Sequence, residues 1–270
     1  MPELPEVETI KNQLAPLVVG RRVLSVDFLW AKTLLSPSIA DFNKCIEDRV
    51  IEGVTRRGKY LILGLDDNSA LLVHLRMTGS FLVSEDKTLP KHTRAVIRLD
   101  NGLNMYFIDP RKFGKFQLVS GDNSPLLKLG IEPLSDMFTL DNFTGILSGK
   151  KIAIKALLVE QSMIAGIGNM YADEALFEAC IHPLRAADSL SIQEIHRLHG
   201  AIRQVLSKAI ESGGASVSNY FHPDGVKGKA QEGFKVAHRR GENCFVCDSP
   251  IERIVVRQRG TYFCPDCQRK

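Results

Sequence analysis

The sequence predicts an α+β protein of more than one domain, and three observations carry that expectation. One helical pattern at the N-terminus is followed by a series of short apolar and β-branched runs. The pattern turns helical after Phe116, and the chain closes on two Cys-x-x-Cys units. With 270 residues there is enough chain for about two domains of usual size, each with a real apolar core.

The leading helix opens at Pro5, where Val7, Ile10, Leu14 and Leu17 recur at spacings of three and four, and it ends near Gly20. Strands are expected over Val23 to Trp30, Val50 to Thr55, Tyr60 to Leu65 and Leu71 to Met77, with Arg57-Gly58 separating the second from the third. A hairpin follows: Ala95, Ile97 and Leu99 alternate with Arg94 and Arg98, Asn101-Gly102 turns the chain, and Leu103, Met105 and Phe107 alternate on return. The first half is thus a mostly antiparallel β-sandwich behind one helix. Residues 120 to 136, rich in Gly, Pro and Ser, form the interdomain linker. Helices are expected over Leu140 to Leu147, Ala153 to Gln161, Met170 to Cys180 and Ile192 to Glu211, the last with an apolar stripe through Ile192, Ile195, Leu198, Ile202 and Val205. Residues 214 to 238 lack periodicity and read as a loop that orders when something binds.

Cys244-x-x-Cys247 and Cys264-x-x-Cys267, sixteen residues apart, have the spacing of a tetrahedral thiolate zinc site. Disulfides are the alternative, but residues 1 to 20 carry Glu3, Glu6, Glu8 and Lys11 without an apolar signal-peptide core, and a reducing cytoplasm favours metal. Cys45 and Cys180 read as ordinary semi-buried thiols. No stretch is long enough to span a membrane. The net charge of +4 is concentrated at the end of the chain: residues 227 to 270 hold ten basic and five acidic residues, a balance of +5. Such a module suits a phosphate-bearing partner or, less specifically, a solubilising face.

At the other end, Pro2 favours removal of the initiator methionine. That would leave a secondary amine followed at once by Glu3 and, three residues after Glu3, by the second carboxylate, Glu6. This is a nucleophile with acid/base partners, or simply a proline starting a helix whose first turn carries acidic residues. Ala165-Gly166-Ile167-Gly168-Asn169 is either an anion-holding helix start, with Asn169 as its cap, or a plain connection between helices.

Several blocks taken in order resemble the formamidopyrimidine-DNA glycosylases: Pro2-Glu3-Leu4-Pro5-Glu6-Val7-Glu8-Thr9, Lys59-Tyr60-Leu61, His74-Leu75-Arg76-Met77-Thr78-Gly79, Asp109-Pro110-Arg111-Lys112-Phe113-Gly114, Gly166-Ile167-Gly168-Asn169-Met170-Tyr171-Ala172 and the four-cysteine finger. The resemblance implies three parts. These are an N-terminal catalytic β-sandwich over 1–130, a helix-two-turns-helix DNA-binding domain with a lesion-recognition loop over 131–238, and a zinc-finger β-hairpin over 239–270, with damaged duplex DNA held between the two halves. It implies a bifunctional glycosylase and lyase in which Pro2 attacks the sugar and forms an iminium, Glu3 is the general acid and Glu6 orients them. Lys59 would assist β-elimination and Arg259 δ-elimination. Met77, Arg111 and Phe113 would fill the space left by the extruded base, and His92, Lys150 and Asn169 would contact phosphates. One structural zinc on Cys244, Cys247, Cys264 and Cys267, a monomeric state and use at the bacterial nucleoid in the cytoplasm complete the expectation.

Within the wider group, Met77, Arg111 and Phe113 point to the purine-directed branch rather than the pyrimidine-directed endonuclease VIII branch. The chain departs from the family pattern at Ala237-His238, where many members carry Tyr-Gly. A zinc-dependent DNA-binding protein without catalysis and an RNA-binding module are the competing classes.

Overall fold

The computed structural model describes residues 1–121, 124–216 and 227–270. They form two compact units: Met1–Leu127 with Ser212–Lys229, and Lys128–Glu211 with Ala230–Lys270.

The first unit opens with helix α1, Leu4–Val18, which buries Leu4, Val7, Ile10, Leu14 and Val18. The inward stripe ends on Val18, not Leu17, which is exposed, because a 3.6-residue period drifts one position over four turns. The strands then build two sheets: β1 (Val23–Phe28), β2 (Leu34–Ser36), β3 (Ile51–Arg57), β4 (Tyr60–Leu65), β5 (Ala70–His74), β6 (Ser80–Ser84), β7 (Thr93–Leu99), β8 (Asn104–Ile108) and β9 (Lys115–Val119). One sheet has the order β1-β7-β8-β6 and the other β2-β9-β5-β4-β3. Every pairing is antiparallel except β2 with β9. Apolar side chains from both sheets, among them Val26, Phe81, Ile97, Phe107, Leu61, Val73 and Phe116, share one core with Val7, Ile10 and Leu14. Phe107 and Phe116 meet across it at 4.9 Å. The expected sandwich with a leading helix is therefore present.

A helix absent from the sequence reading, α2 (Ile39–Ile46), buries only Phe42 and Ile46 and is started by Ser38, whose hydroxyl accepts the Asp41 amide. Strands β2, β6 and β9 are likewise absent from it. At the hairpin only Gly102 has positive φ (84°), so Asp100–Gly102 is a three-residue loop and not a two-residue turn.

The second unit contains α3 (Leu140–Leu147), α4 (Ile154–Leu158), α5 (Asn169–Glu178), α6 (Ile192–Glu211) and the hairpin β10 (Glu252–Val256) and β11 (Arg259–Phe263). Helix α6 packs on α5 and α3. Its buried stripe runs through Ile195, Leu198, Ile202 and Leu206, leaving Ile192 exposed. Part of the expected linker belongs to this unit: the Gly130 amide donates to Gln161 and the Ile131 amide to Met163, at 2.9 and 3.2 Å. Asp122 and Asn123 of that linker lie outside the described residues. Cys45 and Cys180 are exposed rather than semi-buried.

Candidate active site and nucleic-acid interface

Pro2, Glu3 and Glu6 are all buried, and the sequence of the first turn explains how. Glu3 and Glu6 form a capping box in which the Glu3 amide donates to Glu6 Oε2 at 2.7 Å. The other oxygen, Glu6 Oε1, accepts the Ala215 amide at 2.7 Å. One buried carboxylate thus joins the N-terminus to a segment more than two hundred residues later. Gly214 is required there: its φ is +73°, and a Cβ would lie 3.0 Å from Glu6 Cγ. The other foot of this segment is fixed by Lys229, whose amide donates to Ser212 at 2.9 Å. Residues 217–226 between the feet lie outside the described residues, and with them Val217-Ser218-Asn219-Tyr220 of the expected lesion-recognition loop.

Lys59 is buried on the β3–β4 turn. Arg56 links that turn to α1 by donating to Glu8 at 2.7 Å and to the Gly58 carbonyl at 3.0 Å. Burial opposes the charge on Glu8, but hydrogen bonds from Lys11 and Arg56 outweigh it and hold the carboxyl below its usual range. Beyond the turn, His74 pairs with Tyr60 across β4 and β5. Burial, with the nearby Arg76 and Lys59 cations, pulls His74 down to about 3, and its Nδ1 accepts the Arg76 amide at 3.0 Å. His74 is therefore a neutral imidazole at physiological pH.

Met77, His92, Arg111 and Phe113 are brought together through a residue that sequence reasoning passes over, the fully buried Asp109. Its Oδ1 accepts the Thr78 hydroxyl and, at 3.2 Å, the Arg111 amide; its Oδ2 accepts the Gly114 amide at 2.7 Å. Its own amide donates to His92 at 3.0 Å, and its carbonyl accepts Arg94 Nε at 2.8 Å. Two glycines let the loops close on this hub. A Cβ at Gly79 would lie 2.5 Å from the Leu75 carbonyl oxygen, and one at Gly114 would lie 2.3 Å from Phe107. The loop tips stay open to solvent, with Met77 38% and Phe113 48% exposed, and the Arg111 guanidinium lies 5.0 Å from the Phe113 ring. Arg76, His92 and Lys112 hold left-handed backbone on the same loops. That conformation is uncommon for such residues and concentrates at functional sites.

In the second unit, Asn169 does not cap α5. Gly168 holds the cap position, and Asn169 Nδ2 instead donates to the Gly260 carbonyl at 2.6 Å, tying the helix start to the strand that carries the exposed Arg259. The tight turn before it is held by Gln161, whose Nε2 reaches the Val159 and Ile167 carbonyls at 2.9 and 2.8 Å. Deeper in, Lys155 pairs with Asp173, both 1% exposed, and donates to the Asn169 carbonyl at 2.6 Å. The second Asp173 oxygen accepts the Tyr262 amide at 3.2 Å. This buried pair thereby fixes α4, α5 and the hairpin to one another. Lys150 stands apart from this set, exposed after α3.

The stretch that departs from the family pattern is firmly held. Glu174 accepts the amides of Lys235, Val236 and Ala237 at 2.8 to 2.9 Å. His238 has φ 66°, a backbone that glycine adopts freely, and its imidazole lies 5.5 Å from the Tyr262 ring.

The four cysteines converge. Their Sγ atoms all lie within 4.8 Å of one another, with Cys244 to Cys267 at 3.8 Å and Cys247 to Cys264 at 3.3 Å. A tetrahedral zinc–thiolate centre with bonds of about 2.3 Å needs sulfur separations of about 3.8 Å, so the set fits the metal. The Val246 amide points at Cys244 and the Cys267 amide at Cys264, at 3.4 and 3.5 Å. The finger is anchored by Phe177 of α5, which packs with Val236, Ile251 and Cys264. The two cysteine pairs therefore form the site of one structural zinc.

Comparison with known proteins agrees along the whole chain. Residues 1–116 match the formamidopyrimidine-DNA glycosylase N-terminal domain, 129–220 its H2TH domain, and 241–269 the zinc finger found in FPG and IleRS. The formamidopyrimidine-DNA glycosylase of Herpetosiphon aurantiacus is 47% identical over 99% of this chain and 100% of its own length. That of Halalkalibacterium halodurans is 41% identical with both chains fully covered. Among solved structures, the MutM (Fpg) protein of Thermus thermophilus superposes with a TM-score of 0.90 at 43% identity, covering 99% of this chain and 98% of that one. A Lactococcus lactis FPG variant in complex with a Fapy-dG containing DNA superposes with a TM-score of 0.93 at 36% identity, both chains fully covered. Motifs, fold, metal site and relatives agree, and the chain belongs to the formamidopyrimidine-DNA glycosylase family.

Proposed function

We infer that this chain is a DNA glycosylase of base excision repair that removes oxidised purines, 8-oxoguanine and formamidopyrimidines, from duplex DNA, and that it is also a lyase acting through Pro2. The observation that carries the reading is the buried Glu3–Glu6 capping box beside Pro2, tied to Ala215. A helix start needs neither a second carboxylate buried at 1% exposure nor a bond to a distant segment.

With Met1 removed, the Pro2 nitrogen is a secondary amine, and an α-amino group of ordinary pKa, about 7.7 to 8.0, is partly unprotonated near neutral pH. Its lone pair attacks the anomeric carbon and the bond to the base breaks. Glu3 supplies a proton, either to the departing base or to the opening sugar ring. The resulting iminium draws electrons from the neighbouring carbon, whose proton leaves as the 3′ phosphate is expelled, and a second elimination expels the 5′ phosphate. Lys59 assists the first elimination and Arg259 the second. Met77, Arg111 and Phe113 fill the space vacated by the base, while His92, Lys150 and Asn169 contact phosphates. Zinc on Cys244, Cys247, Cys264 and Cys267 holds the finger that carries Arg259 and takes no part in bond breaking.

Functionally the chain divides into a catalytic sandwich, residues 1–130, a DNA-binding helical part with the recognition loop, 131–238, and the finger, 239–270. It acts as a monomer in the bacterial cytoplasm, at the nucleoid. Among the described residues no helix is long and apolar enough to cross a membrane.

The test is strand cutting on matched duplexes, one with 8-oxoguanine opposite cytosine and one with an oxidised pyrimidine. Faster cutting at the purine lesion is expected. Preference for the pyrimidine would move the chain to the sister branch, and tight binding without cutting by the processed chain would make it a DNA-binding protein alone.

A further inference from the structure

We propose that Lys112 and Trp30 form a latch that positions Arg111 and Phe113 for base extrusion. The inference rests on the reading of those two side chains as the void-filling pair.

The loop between β8 and β9 is fixed at its ends by Asp109 but carries strain in the middle, where Lys112 has φ 61°. Left-handed backbone is costly for a residue with a Cβ, so something must hold it there. Lys112 Nζ lies 4.2 Å from the centroid of the Trp30 ring, a cation–π contact. Trp30 is itself anchored to the same hub: its amide donates to the Arg94 carbonyl at 3.2 Å, and Arg94 Nε donates to the Asp109 carbonyl at 2.8 Å. With Lys112 on Trp30, its neighbours stack on each other instead, the Arg111 guanidinium 5.0 Å from the Phe113 ring. The latch thus commits the middle residue to the protein and leaves the flanking pair available to DNA. Lys112 is a positioning residue and makes no contact with the reacting atoms.

A base that must leave the stack needs the wedge, whereas a preformed abasic site has no base to extrude. Lys112→Met, which keeps length and loses charge, should slow single-turnover excision of 8-oxoguanine about tenfold, about 1.4 kcal/mol. Cutting of an abasic-site duplex should stay within about twofold. Lys112→Arg should restore excision, and Trp30→Leu should match Lys112→Met. The double variant should be no slower than either single one, the signature of a pair acting together. Because Trp30 is the only tryptophan, its fluorescence reports the contact directly, and the Lys112→Met chain should show altered emission with unchanged melting.

Equal slowing on both substrates, or additive losses in the double variant, would overturn the latch. Arg111→Ala and Phe113→Ala separate the two readings. If they slow excision while the Lys112 and Trp30 variants do not, the latch alone fails. If all four leave excision intact, the void-filling reading fails as well.

Discussion

Replacing Glu6 with glutamine tests how the N-terminus is coupled to the segment around Ala215. Both carboxylate oxygens accept backbone amides, Glu3 at one and Ala215 at the other, each at 2.7 Å. Glutamine offers only one acceptor. Whichever way its amide is turned, its NH2 group faces an N–H donor, so one charge-assisted hydrogen bond is lost and a buried amide is left unsatisfied. With about 1.5 to 3 kcal/mol for a hydrogen bond to a charged group, and a similar penalty for the stranded donor, the loss should be roughly 3 to 6 kcal/mol. Urea unfolding reads the global part, and amide exchange at Glu3 and Ala215 reads which side opens. Excision should fall together with protection at Ala215. Unchanged stability, within about 0.5 kcal/mol, with both amides still protected, would refute this coupling.

Further predictions follow from other buried groups. His74 is held near 3 against an ordinary 6.5, so between those values the unfolded chain takes up a proton that the folded one refuses. Its contribution is complete above pH 6.5 and is lost as pH falls toward 3, on the order of 5 kcal/mol in all. His74→Phe should flatten the stability profile in that window, and an unchanged difference curve would contradict the neutral imidazole. Asp173→Asn removes the counter-charge of the Lys155 ammonium, 1% exposed, and should cost about 3 to 5 kcal/mol in urea unfolding, with weaker DNA binding as Asn169 and the hairpin loosen. Chelation should release one zinc, abolish amide protection over β10 and β11 and weaken DNA binding, while amides of the first sandwich sheet keep their protection. Retained hairpin protection in the metal-free chain would contradict a structural zinc.

Much of the fold is legible because its signals are local. Alternation marks the β7–β8 hairpin, the 3.6-residue period marks α1 and α6, and cysteine spacing marks the metal site. The elements that escape a sequence reading depend on distant partners. Strand β2 has three residues and pairs with β9, about eighty residues away, and α2 shows only two buried apolar positions. In the site, the chemistry-bearing residues are visible by type and motif, but the residues that position them are not. Asp109 stands in a motif without a role of its own, and nothing in its neighbourhood announces that it joins His92, Thr78 and Gly114. Nor does Glu6 announce Ala215. Asn169 reads as a cap because it stands at a helix start, yet Gly168 already occupies that position and the asparagine side chain reaches Gly260 instead.

The most direct measurement mixes the purified chain, its N-terminus established by intact mass, with duplex DNA carrying one 8-oxoguanine opposite cytosine, and adds borohydride. A covalent complex is expected from the chain that begins at Pro2 and not from chains that retain Met1 or carry a blocked N-terminus, since a Pro2 nitrogen held in an amide is no nucleophile and cannot form the reducible iminium. A complex formed equally well with Met1 in place would place the nucleophile elsewhere. No complex and no nicking from the fully processed chain, despite tight binding, would contradict Pro2 catalysis outright.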